Sequence, residues 1–233
     1  EDFNFGLSTR SFYEKIETDS TASARQQAQE GNYWDTFFSF SFDYDKRNQK
    51  FQTDDGFRSL FTTDIPAISD TYTLTNSYSF QKYASFYENN ISSFSFYIEN
   101  AQSIKGDDIK LTERLFIPTS KLRGFERGKV GPKDGADFIG GNNVAAINFN
   151  TTLPVIFENN DAFDATLFLD IANIWGVDYD KSINETNKVR SSIGVAFDWF
   201  TAVGPLNFSL TQNISKADTD ITESFRFNLG TSF

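Results

Sequence analysis

A period of two runs through most of this chain, and it constrains the fold more than any other feature. It is clearest at residues 223–233. In an extended chain Phe225, Phe227, Leu229, Thr231 and Phe233 share one face, and Ser224, Arg226, Asn228, Gly230 and Ser232 share the other. A strand that is apolar on one side, polar on the other and closed by an aromatic suits the wall of a transmembrane β-barrel, greasy outside and wet inside. Gly230 carries no side chain and weakens strand pairing near the end.

Nine further segments show alternation or strong β-propensity, at about 2–14, 34–45, 57–65, 71–83, 91–103, 140–153, 163–175, 189–202 and 206–214. In 34–45, for example, Phe38, Phe40, Phe42 and Tyr44 alternate with Ser39, Ser41, Asp43 and Asp45. Roughly ten tilted residues span a bilayer as a strand. The pattern predicts an all-β fold, an antiparallel transmembrane β-barrel with about ten strands present. The turn at 203–205 is minimal, whereas 15–33, 104–139, 177–188 and 215–222 are longer. Short turns on one side and long loops on the other is the outer-membrane arrangement, with the long loops outside the cell. A 36-residue connection such as 104–139 is unusual in a compact domain and points to function.

Composition narrows the class further. The 233 residues include 27 Phe and are 17% aromatic, yet the mean hydropathy is −0.43. No run approaches the roughly 18 apolar residues that a spanning helix needs. Histidine and cysteine are both absent, which excludes Cys/His zinc sites, disulfides and His-based triads. The acidic clusters Asp43/Asp45, Asp107/Asp108 and Asp178/Asp180 match no EF-hand spacing. No catalytic residue, metal ligand or cofactor site is predicted. A net charge of −11 argues against nucleic acid as a partner. The chain does not open on Met or on a signal peptide, so it reads as the C-terminal piece of something longer.

Certain residues carry a resemblance. The long loop holds Lys121-Leu-Arg-Gly-Phe125 and Val130-Gly-Pro-Lys133. Gly140-Gly-Asn142 opens a strand, and Phe168-Leu-Asp-Ile-Ala-Asn-Ile-Trp175 lies on the next. Arg190-Ser-Ser-Ile-Gly194, Trp199-Phe200, Val203-Gly-Pro-Leu206 and the terminal 225–233 complete the set. In this order they resemble the second half of the barrel of the BamA family, the outer-membrane protein assembly factors of the BamA/TamA insertase superfamily. Upstream, residues 51–56 are similar to a family turn. The resemblance implies a sixteen-strand barrel of which 1–233 would supply the last ten strands, with the first six strands and the periplasmic POTRA modules absent.

It also implies roles. Arg123 of the Arg-Gly-Phe motif (with Gly124 and Phe125) would sit on a loop folded into the lumen and meet acidic residues on the two following strands. Asp170 matches the family aspartate. Its parity agrees, because it shares a face with Asp164, Thr166 and Ala172, opposite Leu167, Leu169 and Ile171. Such a pair in a solvated lumen is worth about 1 kcal/mol or less. Where the family has Glu, this chain has Asn150, able to accept one hydrogen bond, and Ala172 replaces a usual Gly. Gly140 and Gly141 form the loop-to-strand junction. Residues Phe225, Phe227, Leu229, Gly230 and Phe233 would form the C-terminal signal and one lip of a lateral gate. The implied function is insertion and folding of outer-membrane proteins by lateral gating and strand templating, without covalent chemistry. Implied partners are unfolded client barrels, assembly lipoproteins, and outer-membrane lipids with lipopolysaccharide. A TamA-type translocation factor, a two-partner secretion pore and, more distantly, a ten-stranded barrel hydrolase are the alternatives.

Overall fold

The structure, a computed structural model, describes residues 2–50, 53–88, 90–106, 108–153, 163–178, 183, 187–201 and 204–229. Alternation produces ladders, as expected. The strands are β1 (Phe3–Ile16), β2 (Gly31–Asp45), β3 (Gly56–Ser69), β4 (Thr73–Ala84), β5 (Ser92–Ser103), β6 (Lys133–Asp134), β7 (Asp137–Phe138), β8 (Asn143–Thr152), β9 (Phe163–Trp175), β10 (Arg190–Thr201), β11 (Gly204–Ser215) and β12 (Phe225–Leu229). Ten of them form one antiparallel sheet in the order β1-β2-β3-β4-β5-β8-β9-β10-β11-β12. Strands β6 and β7 make a separate hairpin inside the long connection, with a 3-10 turn at Leu111–Glu113 upstream of it. A four-residue helix, α1 (Ala24–Gln27), begins at a Ser23–Gln26 capping box between β1 and β2. No helix among the described residues is long and apolar enough to cross a membrane, which says nothing of strands.

The two faces of the sheet differ as the alternation requires. The outer one carries a band of rings: Phe5 meets Phe42 at 5.2 Å, Tyr44 meets Phe57 at 5.6 Å, Phe57 meets Phe80 at 5.9 Å, Phe94 meets Phe149 at 5.2 Å, and Phe208 meets Phe227 at 5.0 Å. Phe3, Phe5, Leu7, Leu210, Phe225 and Phe227 remain exposed there, the surface a bilayer would cover. The inner face is polar and paired. Arg58 of β3 donates to Asp43 of β2 at 2.9 Å through both Nε and Nη2, and Ser95 of β5 donates to Asn148 of β8 at 3.2 Å.

Several boundaries move for local reasons. Strand β3 runs on to Ser69 through a register irregularity where Phe37 opposes Pro66, because proline has no N–H to give the ladder. Strand β8 starts at Asn143, because Gly141 bridges Leu115 of the long connection and the Asn142 amide bonds the Trp175 and Gly176 carbonyls. Strand β12 starts at Phe225, because the Glu223 amide is given to the Gly124 carbonyl. Gly230 and Phe233 lie outside the described residues, as do Phe51, Asp107, Asp180 and Val203.

Among the described residues β1 pairs only with β2, and β12 only with β11, so the sheet is open. It is nevertheless curled. Ten strands laid flat would put β1 and β12 roughly 43 Å apart at 4.7–4.9 Å per spacing. Yet Lys110 pairs with Glu14 of β1, and nine residues further on Thr119 accepts from Arg226 of β12. That backbone stretch is at most about 32 Å fully extended, and its 3-10 turn shortens it. The connection thus reaches both edge strands from the inner face.

A candidate functional site where the Arg-Gly-Phe loop meets the wall

Inner-face residues of the wall hold the 104–139 connection at successive points. Near its start, the Lys110 ammonium is fully buried between Asp35, Glu14 and Glu113, with the Tyr33 ring at 5.0 Å. Burial alone would push the Lys110 amine down, but hydrogen bonds to Asp35 and Glu14 outweigh it and hold the value above that of an ordinary lysine. Arg114 follows, ion-paired with Asp178 and donating to Asn142 at 3.1 Å. Ile109, Leu115, Leu122, Phe125 and Val130 then pack on Ala101, Val144, Ala146, Ala172 and Ile174 of β5, β8 and β9, forming a small apolar core on a face that the alternation marks as wet. Ala172 belongs to this core, so its Cβ is used in packing.

Arg123 sits at the centre. Asp170 is completely buried and accepts four bonds: from the Arg123 backbone amide at 3.0 Å, Nε at 2.7 Å and Nη2 at 2.7 Å, and from Asn148 Nδ2 at 2.8 Å. The same Nη2 reaches Asn150 Oδ1 at 2.8 Å. The guanidinium also lies 3.5 Å from the centroid of Phe168, a cation–π contact. Phe168 can lie flat against the wall because its cross-strand partner is Gly194, where a Cβ would stand 2.5 Å from the ring and 2.2 Å from the Leu210 carbonyl oxygen. Carbonyls complete the socket: Arg123 O accepts from Ser192 Oγ at 2.6 Å, and Lys121 O from Asn148 Nδ2 at 2.9 Å.

Gly124 takes φ +85°, and any Cβ there would come within 2.4 Å of Thr211 Cγ2, so glycine is required for both conformation and space. Its carbonyl accepts from Asn213 at 2.8 Å and from the Glu223 amide at 3.1 Å. Phe125 is buried and forms an isolated bridge to Thr222. Gly140 and Gly141 pack against Leu115, where a Cβ at Gly140 would stand 2.4 Å from its carbonyl oxygen. These two glycines therefore serve the return of the connection into β8. Phe225 and Phe227 are on the outer face of β12, apart from the loop. Leu229 pairs with Leu206 across the ladder.

One expectation changes. The sequence predicts a solvated lumen around the Arg123–Asp170 pair, but Asp170 is fully buried and the Arg123 side chain is 18% exposed. Phe168 covers the guanidinium, and the buried Leu122 and Phe125 on either side of Arg123 seat the loop on the wall, which limits the water that would have screened the pair. Of the acidic clusters, Asp43 is paired to Arg58, Asp45 to Arg47 and Asp178 to Arg114, and Asp107 and Asp180 lie outside the described residues. No group of three or more potential metal ligands occurs among the described residues.

Other anchors escaped the sequence reading. Asn148 and Ser192 have inward parity beside Asn150 and Asp170, a usable signal. Lys110 and the fully buried pair of Arg190 with Asp220, 2.9 and 3.1 Å, gave none, because each joins segments distant along the chain.

A model of the Omp85 superfamily domain matches residues 2–233. The chain belongs to the Omp85 superfamily. This Omp85 chain is therefore an outer-membrane β-barrel protein of bacteria. It is 29% identical over 143 residues to the outer membrane protein assembly factor BamA of Neisseria meningitidis serogroup B (strain ATCC BAA-335 / MC58), a stretch covering 48% of this chain and 17% of that relative. Among solved structures it is similar to BamA from Haemophilus ducreyi lacking POTRA domains 1–3, with TM-score 0.86 and 19% identity. That match covers 97% of this chain and 50% of the solved one, and it shows the same fold. The Omp85 chain thus spans well under two thirds of the proteins it matches.

Proposed function

We propose that this chain forms the latter part of the barrel of an outer-membrane protein assembly factor. In this reading the 104–139 connection enters from the extracellular side and braces the wall from within, and Arg123 fixes its position. Phe225, Phe227 and Leu229 belong to a terminal strand that serves as one lip of a lateral gate. An unpaired strand edge in hydrocarbon leaves its N–H and C=O groups unsatisfied, so it recruits an incoming client strand by β-augmentation. The step needs no covalent chemistry. The clients are unfolded outer-membrane proteins, assembly lipoproteins dock on the periplasmic side, and lipid with lipopolysaccharide surrounds the wall.

The observation that carries the reading is the docked loop itself. Six polar contacts place Arg123 and its neighbours against β8, β9 and β10, in a superfamily where the matched relative is named an assembly factor. The test is a strain whose only copy of the gene carries Arg123→Ala. The expected result is a folded, heat-modifiable barrel with depleted outer-membrane proteins. Normal growth and normal outer-membrane protein levels would count against the assignment.

A further inference from the structure

Arg226 is an inner-face residue of β12, opposite Ser209 of β11 in the ladder, and its side chain reaches across to the long connection. Its Nη2 donates to the Phe125 carbonyl at 2.6 Å and its Nη1 to the Thr119 carbonyl at 3.2 Å. Glu223 forms an ion pair with the same guanidinium, which is only 14% exposed. One carbonyl belongs to Phe125, the last residue of the Arg-Gly-Phe motif, and the other lies four residues before Arg123. The backbone continues the contact away from β11: Glu223 N donates to Gly124 O at 3.1 Å, Glu126 N to Ile221 O at 3.0 Å, and Ile221 N to Lys129 O at 3.0 Å. Asp220 extends it by accepting from the Gly131 amide at 3.3 Å. The segment leading into β12 is thus sandwiched, with β11 on one side and residues 124–131 on the other.

We propose that Arg226 is a positioning residue that latches the last strand to the Arg-Gly-Phe loop, so that loop docking on Asp170 and placement of β12 are one coupled equilibrium. A fork of five donors can bridge two carbonyls while keeping a carboxylate, which a shorter or single-donor side chain cannot do. Coupling of this kind is reciprocal: whatever undocks the loop loosens the strand, and whatever frees the strand loosens the loop. Its meaning for client insertion rests on the assembly reading above, but the latch itself does not.

The experiment is amide hydrogen exchange on the protein in lipid nanodiscs, comparing wild type with Arg226→Gln and Asp170→Asn. Loss of the charge-assisted bonds in Arg226→Gln should raise exchange about ten-fold or more in residues 119–127 as well as in 222–229. Asp170→Asn should raise it in both segments too. An effect of Arg226→Gln confined to 222–229, or of Asp170→Asn confined to the loop, overturns the latch. If Arg226→Gln fails to give a heat-modifiable barrel, Arg226→Lys takes its place. One ammonium then replaces the fork, and both segments should still exchange faster than wild type; an unchanged loop again overturns the latch. No client protein is present in this measurement, so its failure would leave the assembly reading intact, and failure of that reading would leave the latch.

Discussion

Asp170→Asn tests the socket most directly. The wild-type carboxylate is fully buried, with four donors aimed at two oxygens. The amide keeps the shape but turns one acceptor into an NH2 that faces other donors, and it leaves the Arg123 guanidinium without a counter-charge. Breaking a buried pair by removing one partner costs about 3–5 kcal/mol. Arg123 retains Asn150 and borders a polar cavity of the lumen, so the lower end, about 3 kcal/mol, is expected. At 1.36 kcal/mol per factor of ten, loop docking weakens about a hundred-fold. Hydrogen exchange over residues 108–131 reads this directly, with heat-modifiability as a check that the barrel persists. A double-mutant cycle with Arg123→Gln isolates the pair and should give a coupling of about 2 kcal/mol or more. A coupling below about 0.5 kcal/mol, the scale of an exposed pair, would refute the buried-socket reasoning.

Further perturbations follow from the same geometry. Gly124→Ala combines a left-handed backbone with a Cβ 2.4 Å from Thr211 Cγ2, so loop docking should weaken by about 1–3 kcal/mol, and Thr211→Ser should recover only part of this because the φ strain remains. Thermal melting of the two variants and their combination checks it. Gly194→Ala should displace the Phe168 ring and lower barrel stability more than loop docking, visible as an earlier loss of heat-modifiability. Lys110→Met leaves Asp35 and Glu14 facing each other without a cation, and should free residues 108–114 to protease while Arg123 stays docked. Burial holds the Lys121 amine below the ordinary lysine value, against the pull of Asp170. The undocked loop therefore binds more protons at Lys121 between that lowered value and about 10.4, so docking should tighten as pH rises through this window, and Lys121→Met should remove this contribution to the loop's protection relative to intrinsic exchange.

Much of the wall was legible because a period of two needs no knowledge of neighbours. Phe5, Phe42 and Phe225 belong outside, and Asp43, Asn150 and Asp170 inside, by parity alone. Ladder order followed chain order, since sequential strands tend to be neighbours, and it held even across the 104–139 connection. The tertiary structure alone decided what the 104–139 connection does with that inner face. Its contacts join residues many positions apart: Lys110 to Glu14 and Asp35, Arg123 to Asp170, Arg226 to Phe125, and Arg190 to Asp220. No local period encodes such pairs, and no single segment shows that Phe168 will cover the Arg123 guanidinium or that Asp170 will be fully buried. Parity determines which way a side chain points; only the curled wall determines what it meets there, and so whether its charge is screened or buried.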